Sequence, residues 1–231
     1  MESTLLDQLL QAKSGRMPVA LVTWLASGKQ QLIERGQSAA DDELSNANTD
    51  GFRTDRSRTM EIGGEEVFIN IHNPPLRLVL IGAVHIAQAL IPMAVQAGYD
   101  PIVIDPRTAF ASEERFANVP RDARWPDEAL PEVGLDTRTA FVALTHDPKI
   151  DDPALQIALN SEVFYIGALG SKRTHAKRVD RLTEAGLNDA QLSRINAPIG
   201  LDIGAVGPNE IAISIMAEVT AALRGKLAAL T

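Results

Sequence analysis

Four short segments of this 231-residue chain each directly follow an apolar run, and three of the four carry residue types that bind phosphates, sugars or polar heterocycles. The first is Gly82-Ala83-Val84-His85-Ile86-Ala87, behind Leu78-Val79-Leu80-Ile81. A glycine at the end of a buried strand permits a tight turn. The helix that follows offers free N–H groups and a positive dipole end to an anion. Asp105 follows Ile102-Val103-Ile104, at the spacing of about 20 residues where a carboxylate accepts bonds from ribose hydroxyls. The usual fingerprint, G-x-G-x-x-G/A, is broken at its second glycine by Val84, whereas Ala87 suits the third position. A branched side chain there crowds the approach of a pyrophosphate. The motif therefore speaks for a βαβ unit more strongly than for ordinary dinucleotide binding.

Gly167-Ala168-Leu169-Gly170-Ser171-Lys172-Arg173 is the second phosphate candidate. Two glycines allow unusual backbone angles, Ser171 can cap the next helix, and Lys172 and Arg173 add charge at its start. It is not a Walker A loop, and an ordinary capped turn is the alternative. In Thr145-His146-Asp147, His146 could donate a hydrogen bond or carry a proton; the plainer reading is that Asp147 caps a helix. His85 falls in a first helical turn, where the dipole disfavours its cation. It suits a neutral donor to phosphate or a brace between loops. Gly200-Leu201-Asp202-Ile203-Gly204 reads as a ligand-facing loop, or as a tight turn whose Asp202 accepts backbone N–H groups. Nothing in the spacing of Asp105, His146, Asp147 and Asp202 requires a metal. Neither G-x-S-x-G nor H-E-x-x-H occurs, so no catalytic residue is assigned.

The elements that must position these residues alternate. Strands are expected at 78–81, 101–104, 140–144 and 163–166, and helices at 85–97, 148–159, 171–185 and 208–227. The pattern predicts an α/β fold: a Rossmann-like, doubly wound, mostly parallel sheet that binds ligands at its carboxyl edge. Residues 110–136, with Pro120, Pro126 and Pro131, read as irregular. Asn73-Pro74-Pro75 reads as a hinge, dividing a small N-terminal α+β domain (1–75) from the Rossmann-like domain (76–231). Within the first, a helix is expected at 3–12 and strands at 19–23 and 66–71. The polar stretch 36–58 reads as a long loop or weakly ordered helix.

Composition removes several classes. A net charge of −8 and a pI near 5.0 argue against general nucleic-acid binding, which needs clustered Lys and Arg. With no cysteine there is no thiolate catalysis, zinc-thiolate site or cysteine-held iron–sulfur cluster. The apolar stretch 78–95 is interrupted by Gly82, His85, Gln88 and Pro92, so it reads as strand–turn–helix and not as a membrane span. The first residues lack the basic start and long apolar core of a signal peptide, and a cytoplasmic protein is expected.

Four ordered motifs resemble the XdhC/CoxI family of accessory proteins for xanthine dehydrogenase and related molybdenum hydroxylases. They are Gly82 to Leu90, Thr145-His146-Asp147, Tyr165 to Ser171 and Pro198 to Gly204. The family pattern has G-A-G-H at the first turn, where this chain has Val84. The family's N-terminal G-S-x-P-R and G-G-G-C segments do not occur in residues 1–75, so this resembles a shortened or divergent member. The resemblance implies a maturation factor rather than an enzyme: a chaperone that holds molybdenum cofactor (molybdopterin or its cytosine dinucleotide form), assists sulfuration, and passes it to a xanthine dehydrogenase-type client. A cysteine desulfurase and a second copy of the chain are further partners compatible with that role. The implied cofactor-binding set is Gly82, Ala83, Val84, His85, Asp105, Thr145, His146, Asp147, Gly167, Gly170, Ser171, Lys172, Gly200 and Asp202. Phosphate would lie at the Gly82 and Gly167 turns, and Asp105 would meet a ribose or pterin hydroxyl. The alternatives are an NAD(P)-dependent oxidoreductase using His146 or Tyr165 for proton transfer, and a ligand-free adaptor. Val84 and the lack of a Tyr-x-x-x-Lys pair count against the oxidoreductase.

Overall fold

The computed structural model describes residues 3–39 and 41–229, in two units, Met1–Pro74 and Pro75–Thr231. In the first unit, strands β1 (Val19–Trp24), β2 (Gln30–Glu34), β3 (Arg58–Ile62) and β4 (Glu65–His72) form an antiparallel sheet in the order β2-β1-β4-β3. Helices α1 (Ser3–Ser14) and α2 (Asp42–Thr54) complete the unit. Alternate side chains of a strand face opposite ways. Val19 accordingly packs with Leu9 and Ala12 of α1, while Ala20 and Val22 pack with Leu44, Ala47 and Phe52 of α2.

The reading of 36–58 as loop or weak helix needs correction, because α2 is a regular helix. Asp41 caps it, its Oδ1 accepting from the N–H groups of Glu43 (2.7 Å) and Leu44 (3.2 Å). Gly51, which looks like a helix breaker, lies on the buried face. A Cβ there would fall 2.7 Å from Ile71 Cδ1, so the glycine lets helix and sheet approach.

The second unit is a six-stranded, all-parallel sheet. In chain order it contains β5 (Leu76–Ile81), α3 (His85–Gln96), β6 (Tyr99–Ile104), β7 (Arg121–Asp122), α4 (Pro126–Val133), β8 (Thr139–Ala143) and α5 (Pro148–Leu159). Then come β9 (Tyr165–Ala168), α6 (Lys172–Glu184), α7 (Asp189–Leu192), β10 (Ile195–Asn196) and α8 (Pro208–Leu223). The strand order is β10-β9-β8-β5-β6-β7. Counted from β5, that is the doubly wound order 3-2-1-4-5-6 of dinucleotide-binding folds. β5 is buried throughout because both faces are covered. Leu78 and Leu80 pack with Leu90, Ile215 and Val219, whereas Val79 and Ile81 pack with Leu130, Leu155 and Leu182.

Residues 110–136 are less irregular than their prolines suggest. They hold β7 and α4, and Pro126 stands in the first turn of α4, where a missing N–H costs nothing. The strands β7 and β10 have two residues each, too few to show a period. The last helix ends at Leu223, before residue 227, and Gly225 follows at φ +64°.

Candidate functional site

The direction of chain travel reverses between β5 and β8, the neighbours at the centre of the sheet. In such folds the crevice at the carboxyl ends of that pair is where ligands bind. Neighbouring strand ends are tied across this edge. Leu144 N donates to Ile81 O (2.9 Å), Leu169 N to Ala143 O (2.8 Å) and Ile199 N to Ala168 O (3.3 Å). The segments after β5, β8, β9 and β10 therefore stand side by side. Gly82 and Gly167 belong two strands apart, about 10 Å at the usual strand spacing.

The turn after β5 is tight. Gly82 has φ +113°, and a Cβ on it would fall 2.7 Å from Thr145 Cγ2. The glycine thus serves both a left-handed backbone and a close approach to the β8 loop. Val84 is the N-cap residue of α3 at φ −91°, half-buried and packed against the core. No side chain caps α3, and His85, its first residue, is exposed.

Asp105 is 0% exposed, and its carboxylate is fully engaged from within. It accepts from Ala83 N (2.8 Å), from Arg107 N (3.0 Å) and from Arg107 Nε (2.9 Å) and Nη2 (2.8 Å). Burial pushes this carboxyl up. The Arg107 side chain and the two amides outweigh it and hold the group below the usual carboxylate range. The oxygens expected to meet a ribose or pterin hydroxyl are instead committed to closing this turn.

Two other candidate glycines also answer to packing. Gly167 lies inside β9, where a Cβ would meet Tyr165 Oη at 2.6 Å and Ile199 Cγ1 at 2.7 Å. Gly200, at φ +94°, has no room for a Cβ beside Ser214, and its N–H donates to Glu218 Oε2 (2.8 Å). The same buried Glu218 oxygen accepts from Tyr165 Oη in a short hydrogen bond. Burial, then the Glu218 charge, pushes the Tyr165 hydroxyl well above its usual range, which ill suits proton transfer. Glu218 was not singled out from sequence. Its signal was a lone acid among the apolar positions Ile211, Ile215 and Val219 of α8.

Asp147 caps α5, accepting from Lys149 N at 3.0 Å. His146 beside it is exposed and held at φ +61°, an unusual conformation for a residue with a Cβ. Thr145 Oγ1 donates to Asp151 Oδ1 (2.7 Å) and accepts from Asp147 N (3.0 Å). Gly170 has φ +136°, Ser171 Oγ caps α6 by accepting from Thr174 N (3.2 Å), and Lys172 is exposed. Asp202 is exposed on the loop between β10 and α8.

Beside His146, between α5 and α6, lies a cavity of about 350 Å³ that the motifs did not announce. Asp151, Asp152, Arg173, Lys177 and Arg178 also line it. Arg181 is spoken for: its Nη2 donates to Asp152 Oδ1 at 3.0 Å. Arg178 and Asp151 are satisfied only in part. Each is only 2% exposed, yet Arg178 Nε and Nη1 and Asp151 Oδ2 are buried without a partner. Arg178 makes one bond, from Nη2 to Leu169 O (2.9 Å). Burial pushes the Asp151 carboxyl up despite Thr145 and Arg178, and it draws Arg178 down despite Asp151 and Asp152. Sequence could have flagged Arg178, which stands four residues before the buried Leu182 on one helix face.

The strand order, the glycine turn at the reversal point and the carboxyl-edge loops define a protein with a Rossmann domain. Residues 78–219 match the XdhC Rossmann domain, and the chain belongs to that family. It is 34% identical over 146 residues to the molybdenum cofactor insertion chaperone PaoD of Escherichia coli, a match covering 63% of this chain and 40% of PaoD. It is 33% identical over 154 residues to a probable xanthine dehydrogenase subunit of Bacillus subtilis, covering 66% of this chain and 44% of that protein. The matched segment is thus less than half the length of either relative. Among solved structures, a xanthine dehydrogenase from Bacillus halodurans shares the fold at a TM-score of 0.68 and 24% identity, over 98% of this chain and 68% of that one. Among the described residues no helix is long and apolar enough to cross a membrane.

Proposed function

We propose that this chain is an accessory chaperone that binds molybdenum cofactor and helps deliver it to a xanthine dehydrogenase-type molybdenum hydroxylase. Membership of the XdhC family, with 34% identity to a protein named as a molybdenum cofactor insertion chaperone, carries the reading. The site supports it in kind: a carboxyl-edge crevice at a reversal point suits a phosphorylated heterocycle. The uncapped start of α3 offers N–H groups to a phosphate, and Lys172 adds charge at the start of α6. Asp105 fits less well, because a hydroxyl of the guest would have to displace Arg107. Help with sulfuration, and with it a cysteine desulfurase partner, belongs to the same reading.

Anaerobic titration of the purified chain with molybdopterin, its cytosine dinucleotide form, NAD, NADP and CTP tests the proposal. Saturable binding of the cofactor, and activation of an apo-hydroxylase by the loaded chain, is the expected result. Reduction of NAD(P) without cofactor binding would replace this reading with an oxidoreductase, and binding of no small ligand would leave an adaptor.

A further inference from the structure

We infer that the cavity between α5 and α6 is a binding site for hydrogen phosphate, free or as the terminal group of a small phosphate ester. The cavity adjoins the loops after β8 and β9, since His146 and Arg173 line it and Arg178 donates to Leu169 O, but the inference is argued from the charged lining of α5 and α6 and stands without the cofactor reading.

The argument begins with unmet valences. A buried polar atom without a partner is costly, and native proteins hold few of them. Here three such atoms line one cavity: Nε and Nη1 of Arg178 and Oδ2 of Asp151. The two side chains carry opposite charges, yet they leave these atoms unpaired with each other. What satisfies both must accept from the guanidinium and donate to the carboxylate.

The charge around them narrows the choice. Asp152 is paired with Arg181, and across the lining the four cations Arg173, Lys177, Arg178 and Arg181 outnumber the two carboxylates Asp151 and Asp152. Arg173 and Lys177 lie four residues apart, one turn along the same helix. The positive end of α6 adds to the excess, its first turn capped by Ser171. Such a field selects an anion. An anion that must also donate a hydrogen bond carries an acidic proton. Hydrogen phosphate has one P–OH for Asp151 Oδ2 and three oxygens for Arg178, Arg173 and Lys177. Sulfate has the same shape and charge but no proton to give. About 350 Å³ holds a phosphate with part of an attached group.

Isothermal titration with inorganic phosphate and with sulfate at equal ionic strength, at pH 7, tests the site. Saturable phosphate binding, at least tenfold tighter than sulfate, is expected. Glycerol phosphate and inorganic phosphate, titrated again at about pH 5.5 where the ester keeps a P–OH, separate the sources: tighter ester binding means the cavity serves an ester, weaker binding means it serves the free ion. The exposed pair Arg173→Ala/Lys177→Ala should weaken phosphate at least tenfold, as should Arg178→Met, while Lys149→Ala on α5 should leave affinity unchanged. The double variant alters only exposed side chains, so it still decides the matter if the Arg178 variant fails to fold. No saturable phosphate binding, equal affinity for sulfate, or equal losses in the double variant and Lys149→Ala would overturn the site. Phosphate binding without molybdenum cofactor binding would keep this inference and remove the proposed function; the converse would do the reverse.

Discussion

The turn after β5 and the cavity between α5 and α6 are opposites. The turn carries the legible motif, and its polar atoms are used up: Asp105 accepts from Ala83 and Arg107, and Gly82 is packed against Thr145. The cavity touches the motifs only at His146 and Arg173, and its deepest polar atoms are left over: Arg178 and Asp151 keep buried groups without partners. A fingerprint describes a backbone shape, which can persist when its carboxylate has turned inward. Unmet hydrogen-bonding capacity describes a demand for something outside the chain. The two are different kinds of evidence, and here they point to different places on one unit.

That contrast makes unequal demands on stability. Asp105→Ala should cost about 3 kcal/mol in chemical denaturation, because it strips a buried ion pair and orphans the Ala83 N–H. The ionised Asp105 stabilises the fold above its ordinary value of 3.8, and this is lost as pH falls through the depressed folded value. The gap between wild type and variant should therefore narrow in acid; a constant gap would show that packing, not charge, closes the turn. Gly82→Ala should cost about 2 kcal/mol, from a strained φ and contact with Thr145. Val84→Gly should cost about 1 kcal/mol in lost packing. If crowding at that turn limits pyrophosphate access, the same variant should tighten CTP or NAD binding in a titration, and unchanged affinity would refute the crowding. Smallest of all, Arg178→Met should cost less than about 1 kcal/mol, since removing a poorly satisfied buried charge offsets its one lost bond. A loss as large as that of Asp105→Ala would erase the distinction between the two regions.

The sheet was legible because a strand covered on both faces must be apolar throughout, as Leu78 to Ile81 and Ala140 to Val142 are. The helices around it were legible from Ser171, Asp147 and the 3.6-residue period. The helix α2 was not, because its buried face includes Asn48 and Gly51, whose types argue for a loop. Strands β7 and β10 were too short to show a pattern. Among candidate site residues, Gly167 reads from sequence as a source of unusual backbone angles and Gly200 as the boundary of a compact loop. Their neighbours Ile199, Tyr165 and Ser214 give a different reason for glycine, one that no local reading could supply.

The order of apolar runs along the chain fixed an alternating α/β unit and the edge where its loops gather, since period and strand handedness are local properties. Whether Asp105 faces a guest or Arg107, and whether Arg178 meets Asp151 or leaves a gap, depends on side chains far apart in sequence being packed to fractions of an ångström. Only the folded chain decided those matters, because hydrogen bonds are made by distance and direction, which a sequence does not contain.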